Sequence, residues 1–454
     1  MRRFSLIGRL GPDDKAKVPV LQRDSAIYEI DFLNSDRRLD FGIGHALDQL
    51  GSFGLNPTEV ALDLVMLAAL VNAGDTRVSR AANAQDGWTR EMDLYIPVSD
   101  TAIWDGVSRK IEDLLRFLTG DRWRLFFRDR PRRLSSIIVP ADKLPLGGLD
   151  EVCLFSGGLD SLIGAIDLLK DGRRPLLVSH YWDAETSKAQ TYLLERLRRR
   201  FPTSELRSVR VRVGFDRHHL NTGETEDTQR GRSFLFFALA SLAASAFARS
   251  VTINVPENGL IALNVPLDSL RFGALSTRTA HPHFIAGMNR LLLEIGVQAT
   301  LVNKYRHNTK GEMVAACADL DFLQREVGSS MSCSSPAKAR YKKLSPRHCG
   351  YCVPCLIRRA SLKKGLGLTD PTLYTIPDLS AQTLFTDRSE GENIRSFQLL
   401  AARIEKQPEL ANILVHKPGP LIDAPSEVPA YADVFRRGIL EVAALLDGVT
   451  AEPS

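Results

Sequence analysis

Hydrophobic and polar positions along the chain fall into two regimes that meet near residue 149. In the first regime, helical and strand periods are mixed. Val60, Leu64, Met66, Leu67 and Leu70 recur at helical spacing over 57–73. Ile103, Trp104, Val107, Ile111, Leu114, Leu115 and Leu118 do the same over 101–118. Met92, Leu94, Ile96 and Val98 alternate with Asp93, Tyr95 and Pro97, which is the period of a strand. Pro97 cannot donate to a ladder, so that strand is expected at a sheet edge. Trp123, Leu125 and Phe127 alternate with Arg124 and Phe126 and predict another strand. Together these patterns predict an N-terminal α+β accessory domain over 1–140. The segment 140–148 holds two prolines and two glycines and reads as a linker.

In the second regime, short apolar runs alternate with helical stretches. The runs at 152–155, 176–180, 209–213 and 251–255 read as strands. Helical patterns separate them at 162–170, 187–200 and 234–248. This alternation predicts an α/β domain over 149–330, a parallel sheet with helices on both faces. Ligands of such sheets bind at the carboxyl ends of the strands. Residues 331–375 carry clustered cysteines, and 376–454 read as a helical C-terminal extension.

Composition narrows the class. Apolar residues make up 44% and charged residues 25% of the chain, ordinary values for a globular protein. A net charge of +5 over 454 residues gives no case for bulk nucleic-acid binding. Basic clusters lie at 128–133, at 196–200 and at Lys338, Arg340, Lys342 and Lys343. The start of the chain lacks the apolar core of a signal peptide, and the apolar run 234–248 is too short to span a bilayer. A soluble, cytoplasmic protein with no membrane partner is expected.

The chemistry concentrates in two places. The first is Ser156-Gly157-Gly158-Leu159-Asp160-Ser161, between a predicted strand and a predicted helix. Adjacent glycines let the backbone approach a ligand closely. The helix that follows presents unpaired N–H groups toward the turn. Ser156 and Ser161 add hydroxyls, and Asp160 is a carboxylate suited to Mg²⁺. The loop lacks the Lys-Ser/Thr pair of a Walker A loop and the spacing of GxGxxG. It resembles the PP-loop of the ATP pyrophosphatases, which have an adenine nucleotide alpha hydrolase-like fold. That resemblance implies binding of ATP through residues 156–161.

The second place is Cys333, Cys349, Cys352 and Cys355. Four thiolates on this spacing make a closed, structural Zn²⁺ site. An iron–sulfur cluster takes the same ligand set. Cys153 and Cys317 have no obvious partner, so the sequence offers no clear sulfur relay.

A PP-loop domain followed by these cysteines resembles the QueC family of 7-cyano-7-deazaguanine synthases, over roughly 150–365. Gly231-Arg232-Ser233 with Phe236 and Phe237 is similar to that family's GRN-x-x-FL segment. Thr309-Lys310-Gly311-Glu312-Met313 is similar to its T-K-x-E segment, and Cys355-Leu356-x-Arg358 to its C-L-x-R ending. The long N-terminal addition resembles the QueC-like component of bacterial anti-phage defence systems, QatC in particular. This implies partner proteins encoded beside it.

The resemblance implies an ATP-dependent carbon–nitrogen ligase or synthase. It would adenylate a carboxylate such as 7-carboxy-7-deazaguanine, release pyrophosphate and pass the acyl group to an amine. The amine would be ammonia or a group on a partner protein. Asp160, Lys310 and Arg232 are the candidate catalytic residues. Arg278, His281 and Glu257 are candidate substrate contacts, and a His-Pro turn with a solvated arginine is an equal reading of the first two. The family's substrate segment is replaced here by residues 276–282. Two other classes stay open: an ATP-binding scaffold of a defence complex, and a tRNA-modifying enzyme using the cluster at 338–343.

Overall fold

The structure is a computed structural model that describes residues 2–84, 87–141, 147–216, 218–224, 226, 228–268, 278–367 and 370–454. The expected linker at 140–148 and the segment 276–282 therefore fall partly outside the described residues.

The N-terminal unit contains β1 (Arg3–Arg9), β2 (Ala26–Asp31), α1 (Ile43–Ser52), α2 (Glu59–Arg77), α3 (Arg80–Asn83), β3 (Glu91–Val98), α4 (Thr101–Thr119) and β4 (Arg122–Asp129). Its four strands form one sheet in the order β2-β1-β3-β4, and every pairing is parallel. The unit is thus α/β, not the α+β arrangement that mixed periods predict. The reason is visible in α2 and α4, which serve as the connections that parallel neighbours require. β3 lies inside the sheet, paired on both sides, despite Pro97. Its pairing to β1 ends at Tyr95, and beyond that point the proline ring faces Gly8. A Cβ on Gly8 would sit 3.1 Å from Pro97 Cδ, so the glycine makes room where no ladder bond is needed.

The second unit contains β5 (Glu151–Leu154), α5 (Leu159–Lys170), β6 (Pro175–His180), α6 (Ala184–Arg200), β7 (Arg207–Val211), α7 (Arg232–Ser245), β8 (Val251–Asn254), α8 (Gly259–Leu263), α9 (Pro282–Glu294) and β9 (Ala299–Val302). These strands form a five-stranded parallel sheet, order β7-β6-β5-β8-β9. The strand order reverses between β5 and β8. That reversal opens a crevice above the carboxyl ends of these two strands. All four residues of β5 are buried, as expected of a central parallel strand.

The remaining elements are α10 (Lys310–Ala315), α11 (Leu320–Glu326), α12 (Val353–Leu366), β10 (Leu384–Phe385), α13 (Ser389–Lys406), α14 (Leu410–Leu414), α15 (Val428–Leu445) and β11 (Ala451–Glu452). Helices α13–α15 form their own core with α8 and α12, through Leu260, Leu263, Leu356, Ile357, Phe397, Phe435 and Ile439.

The two sheets share one hydrophobic core. It runs from Phe4 and Leu6 of β1, through α2 and α4, to α7, α9 and the faces of β5, β6 and β8. Residues Ala61 to Thr76 of α2 are all buried, because α7 covers the side that the N-terminal sheet leaves open. No described helix is long and apolar enough to cross a membrane.

Phe237 of α7 is fully buried and stacks on Phe284 of α9, with ring centroids 5.5 Å apart. Phe237→Ala should lower the unfolding free energy by about 3–5 kcal/mol. Because the core is continuous, near-UV dichroism and tryptophan fluorescence should report one shifted denaturation transition. Separate transitions with only one displaced would contradict a shared core.

Candidate functional site

The glycine loop joins β5 to α5 at the point where the strand order reverses. Gly157 has φ +81°, a conformation that side chains disfavour, and a Cβ there would meet Gln190 at 3.0 Å. Gln190 donates to the carbonyls of Ser156 and His180, tying the loop to the end of β6 (both 3.2 Å). Within the loop, the Ser156 hydroxyl accepts from Gly158 N–H (3.3 Å) and donates to the Ser161 hydroxyl (3.1 Å). Gly158 is the N-cap of α5 and brings no capping side chain. The first turn of α5 is therefore open toward the crevice, apart from Leu159 N–H, which reaches Ser332 Oγ at 3.4 Å.

Asp160, in that first turn, is buried. Lys310 Nζ lies 3.1 Å from one of its oxygens. Asn258 donates to the other through its side chain (2.7 Å) and its backbone (3.3 Å). Glu257 stands beside it, so two carboxyl groups share one small space. Burial opposes ionisation of both. For Asp160, Lys310 and the bonds from Glu257 and Asn258 outweigh burial and hold the pKa below its ordinary value. For Glu257, burial and the charge of Asp160 push the pKa well above its ordinary value. The pair therefore favours one charge and one shared proton.

Lys310 is placed by local sequence. Thr309 caps α10 by accepting from Glu312 N–H, and the Glu312 side chain returns to Thr309 N–H, a complete capping box. This is what the T-K-G-E run encodes. Glu441 of α15 accepts from Gly311 N–H (2.9 Å) and from the Thr309 hydroxyl (2.7 Å), so the C-terminal helix steadies the same turn.

A cleft of about 690 Å³ opens over the loop. It is lined by Ser156, Ser161, Glu257, Trp182, Asp183, Arg230, Arg232 and Phe236. Arg232 is half-buried, and its guanidinium has no ion pair or hydrogen bond among the described residues. Burial lowers its pKa and Asp183 partly restores it. His180 sits nearby, kept neutral by burial and by Arg232, with its pKa down to about 4. Thr279 also lines the cleft.

Arg278 and His281 do not line it. The Arg278 guanidinium stacks on Phe117 (4.7 Å) and donates to the Phe117 carbonyl. His281 is fully buried, accepts from His283 N–H at the start of α9, and packs against Phe117. Both serve the junction with α4. Sequence reasoning missed Trp182, Asp183 and Arg230; Trp182 and Asp183 directly follow a predicted strand, and that position is the available signal.

The thiols of Cys333, Cys349, Cys352 and Cys355 lie within 4.8 Å of one another. The Cys349 and Cys355 sulfurs are 3.8 Å apart, the spacing of about 3.8 Å that a tetrahedron with Zn–S bonds of about 2.3 Å requires. Backbone N–H groups of Ser335 and Cys349 donate to the Cys333 sulfur, and Cys352 N–H donates to that of Cys349 (3.3–3.4 Å). The four thiols can hold a metal such as zinc. Cys352 is the N-cap of α12, and Arg358 on that helix reaches the Val327 carbonyl (2.6 Å) and Ser330 (2.8 Å). Met331 N–H in turn donates to the Gly157 carbonyl (2.9 Å). The cysteine element thereby clamps the glycine loop. Cys153 and Cys317 sit apart, and burial raises both thiols, Cys317 to about 12.

No protein-family model matches the chain, and no curated protein matches it.

Two predictions follow from this geometry. Purified protein should contain about one zinc per chain by elemental analysis, and Cys349→Ser should abolish that content; retention of full zinc by the variant would remove the site. The second concerns Glu257, whose raised pKa gives stability that is present below the unfolded value of about 4.3 and lost as pH rises. In magnesium-free buffer, Glu257→Gln should gain stability over wild type as pH moves from about 5 to about 8. Denaturant midpoints that differ equally at both ends would show that the carboxyl is not so perturbed.

Proposed function

We propose that this chain is an ATP-dependent enzyme that activates a carboxylate as its adenylate and transfers the acyl group to an amine. The observation that carries this reading is the buried Asp160, paired with Lys310 and set beside Glu257 under a glycine loop at a sheet reversal. A buried acid pair with one lysine fits the polyphosphate end of a nucleotide and its cation. Arg232, which has no side-chain partner among the described residues, lines the same cleft and would meet a second anion.

In this reading the N–H groups of Gly158 to Ser161 and the hydroxyls of Ser156 and Ser161 bind the β- and γ-phosphates. Asp160 and Glu257 would hold Mg²⁺, which would neutralise phosphate charge. A carboxylate oxygen of the substrate attacks the α-phosphorus, and the bond to the bridging oxygen breaks to release pyrophosphate. The carboxylate is already ionised at neutral pH, so the step needs positioning and charge stabilisation more than a base. Lys310 and Arg232 stabilise the charge that builds on the phosphates. The amine nitrogen then attacks the acyl carbon, AMP leaves, and the nitrogen loses a proton. Arg232 is the residue best placed to set the substrate acid in line.

The QueC-like motifs favour a deazapurine carboxylate as the acid and ammonia or a partner protein as the amine. The long N-terminal addition favours the anti-phage defence setting. The raised thiols of Cys153 and Cys317 speak against a sulfur-transfer reaction.

Pyrophosphate release from ATP with 7-carboxy-7-deazaguanine, with and without ammonia, tests the reading. Release should require the acid. Lys310→Ala and Asp160→Ala should each lower its rate on the order of 10²–10³-fold. ATP bound tightly but never cleaved, with this acid and with or without ammonia, would leave a nucleotide-binding scaffold as the function.

A further inference from the structure

The N-terminal unit contributes a buried ionic cluster next to the cleft wall. Asp75 of α2 and Asp121 before β4 are buried between Arg80 and Arg90. Arg90 spans both acids, at 3.0 Å to Asp75 and 2.7 Å to Asp121. Arg80 makes two bonds of 2.7 Å to Asp121. These acids and bases belong to the first sheet and its helices, yet the cluster's free valences point to the second unit. The other oxygen of Asp75 accepts from Gly231 N–H at 2.7 Å. Arg80 N–H donates to Glu226 (2.7 Å), and Glu226 accepts from Thr228 through both its N–H (3.0 Å) and its hydroxyl (2.9 Å). Arg230 packs over the Trp88 ring at 5.6 Å and donates to the Thr119 carbonyl (3.1 Å).

These anchors interleave with the cleft lining. Thr228, Gln229, Arg230, Arg232 and Ser233 line the cleft. Gly231 is the N-cap of α7, and Asp75 of α2 accepts from its N–H, the bond that an N3 acid makes in a capping box and that Phe234 at that position cannot make. A Cβ on Gly231 would stand 3.3 Å from Asp75 Oδ2 and 3.3 Å from Val71, which accounts for glycine there. A buried ionic cluster is a poor source of net stability compared with apolar packing, but it fixes geometry.

We propose that Asp75, held by Arg80 and Arg90, is a positioning residue for the cleft. Through Gly231 it sets the start of α7 and thereby places Arg232 and Arg230 on the anion-binding wall. The N-terminal unit then completes the site of the second unit. The consequence for catalysis rests on the reading of the cleft given above; the positioning itself does not.

The test uses the full-length chain and the variants Asp75→Asn and Gly231→Ala, with Mg–ATP as the calorimetric probe and hydrogen–deuterium exchange as a second readout. Both variants should speed exchange locally over 228–236. Both should weaken Mg–ATP binding roughly 10- to 100-fold. Combining either with Arg232→Ala should add little to the loss from Arg232→Ala alone, since one acts through the other. Full additivity, or unchanged exchange over 228–236, would overturn the proposal. So would exchange raised uniformly across α2 and α7 with a lowered melting point, because that marks a merely structural role. If Arg232→Ala and Asp160→Ala leave Mg–ATP affinity intact, the reading of the cleft fails instead, and the exchange measurement alone decides the positioning.

Discussion

Asp160 takes a negative charge into surroundings that exclude most water, and the architecture around it offsets that cost. An isolated buried carboxylate would take up a proton. Here Lys310 lies 3.1 Å away and Asn258 supplies two donors, while the neighbouring Glu257 keeps the proton. These four groups come from three connections. Asp160 follows β5, Glu257 and Asn258 follow β8, and Lys310 opens α10 beyond β9. Only the reversal of strand order between β5 and β8 lets the first two connections meet.

The supports extend outward in three directions, and each uses a distinct chemistry. The C-terminal helix α15 holds the Lys310 turn through Glu441, where a Cβ on Gly311 would clash with the carboxylate at 2.6 Å. The cysteine element holds the glycine loop through backbone bonds from the segment 331–332, itself fixed by Arg358 and by His348, whose ring nitrogen accepts from Ser332 N–H (3.1 Å). Burial and Arg358 keep that imidazole neutral, with a pKa near about 3, so it remains an acceptor through the physiological range. The N-terminal sheet grips the opposite wall through the Arg–Asp cluster. The glycine loop is thus held from outside through the Gly157 carbonyl and the Leu159 N–H, and from within by its two serine hydroxyls.

Much of this was legible in the sequence, because the informative segments couple local pattern to chemistry. The parallel sheet of the second unit followed from the alternation of apolar runs and helical stretches, and β5, β6, β7 and β8 lie within two residues of their expected bounds. The four cysteines and the SGGLDS turn carry their geometry in their spacing. What escaped has physical causes. β1 has five consecutive buried residues and so no two-residue alternation, β2 is mostly unburied, and their parallel pairing leaves no hairpin signal. Pro97 by itself points to an edge strand, and Gly8 of β1, facing its ring, is what lets β3 pair on both sides. Arg278 and His281 were expected near substrate because they stand in the segment that would carry it. Their side chains instead serve the α4 junction, a contact between residues about 160 apart in the chain that no local pattern encodes.

The same distinction separates the residues of the loop and cleft from those that place them. Loop and cleft residues announce themselves by type, since hydroxyls, adjacent glycines and an acid before a helix are uncommon together. Asp75, Gly231 and Glu441 do not, because a buried aspartate in a helix and a glycine at a cap have many structural explanations. Their meaning appears only when the acceptor on one sheet is seen to meet the donor that opens a helix of the other. The shared apolar core brings the two sheets together without direction, as hydrophobic burial does. Several directed bonds cross the interface, and the one from Gly231 N–H to Asp75 falls on the helix start that carries Arg232. Asp75, held by two arginines, adds to that burial a contact of fixed direction.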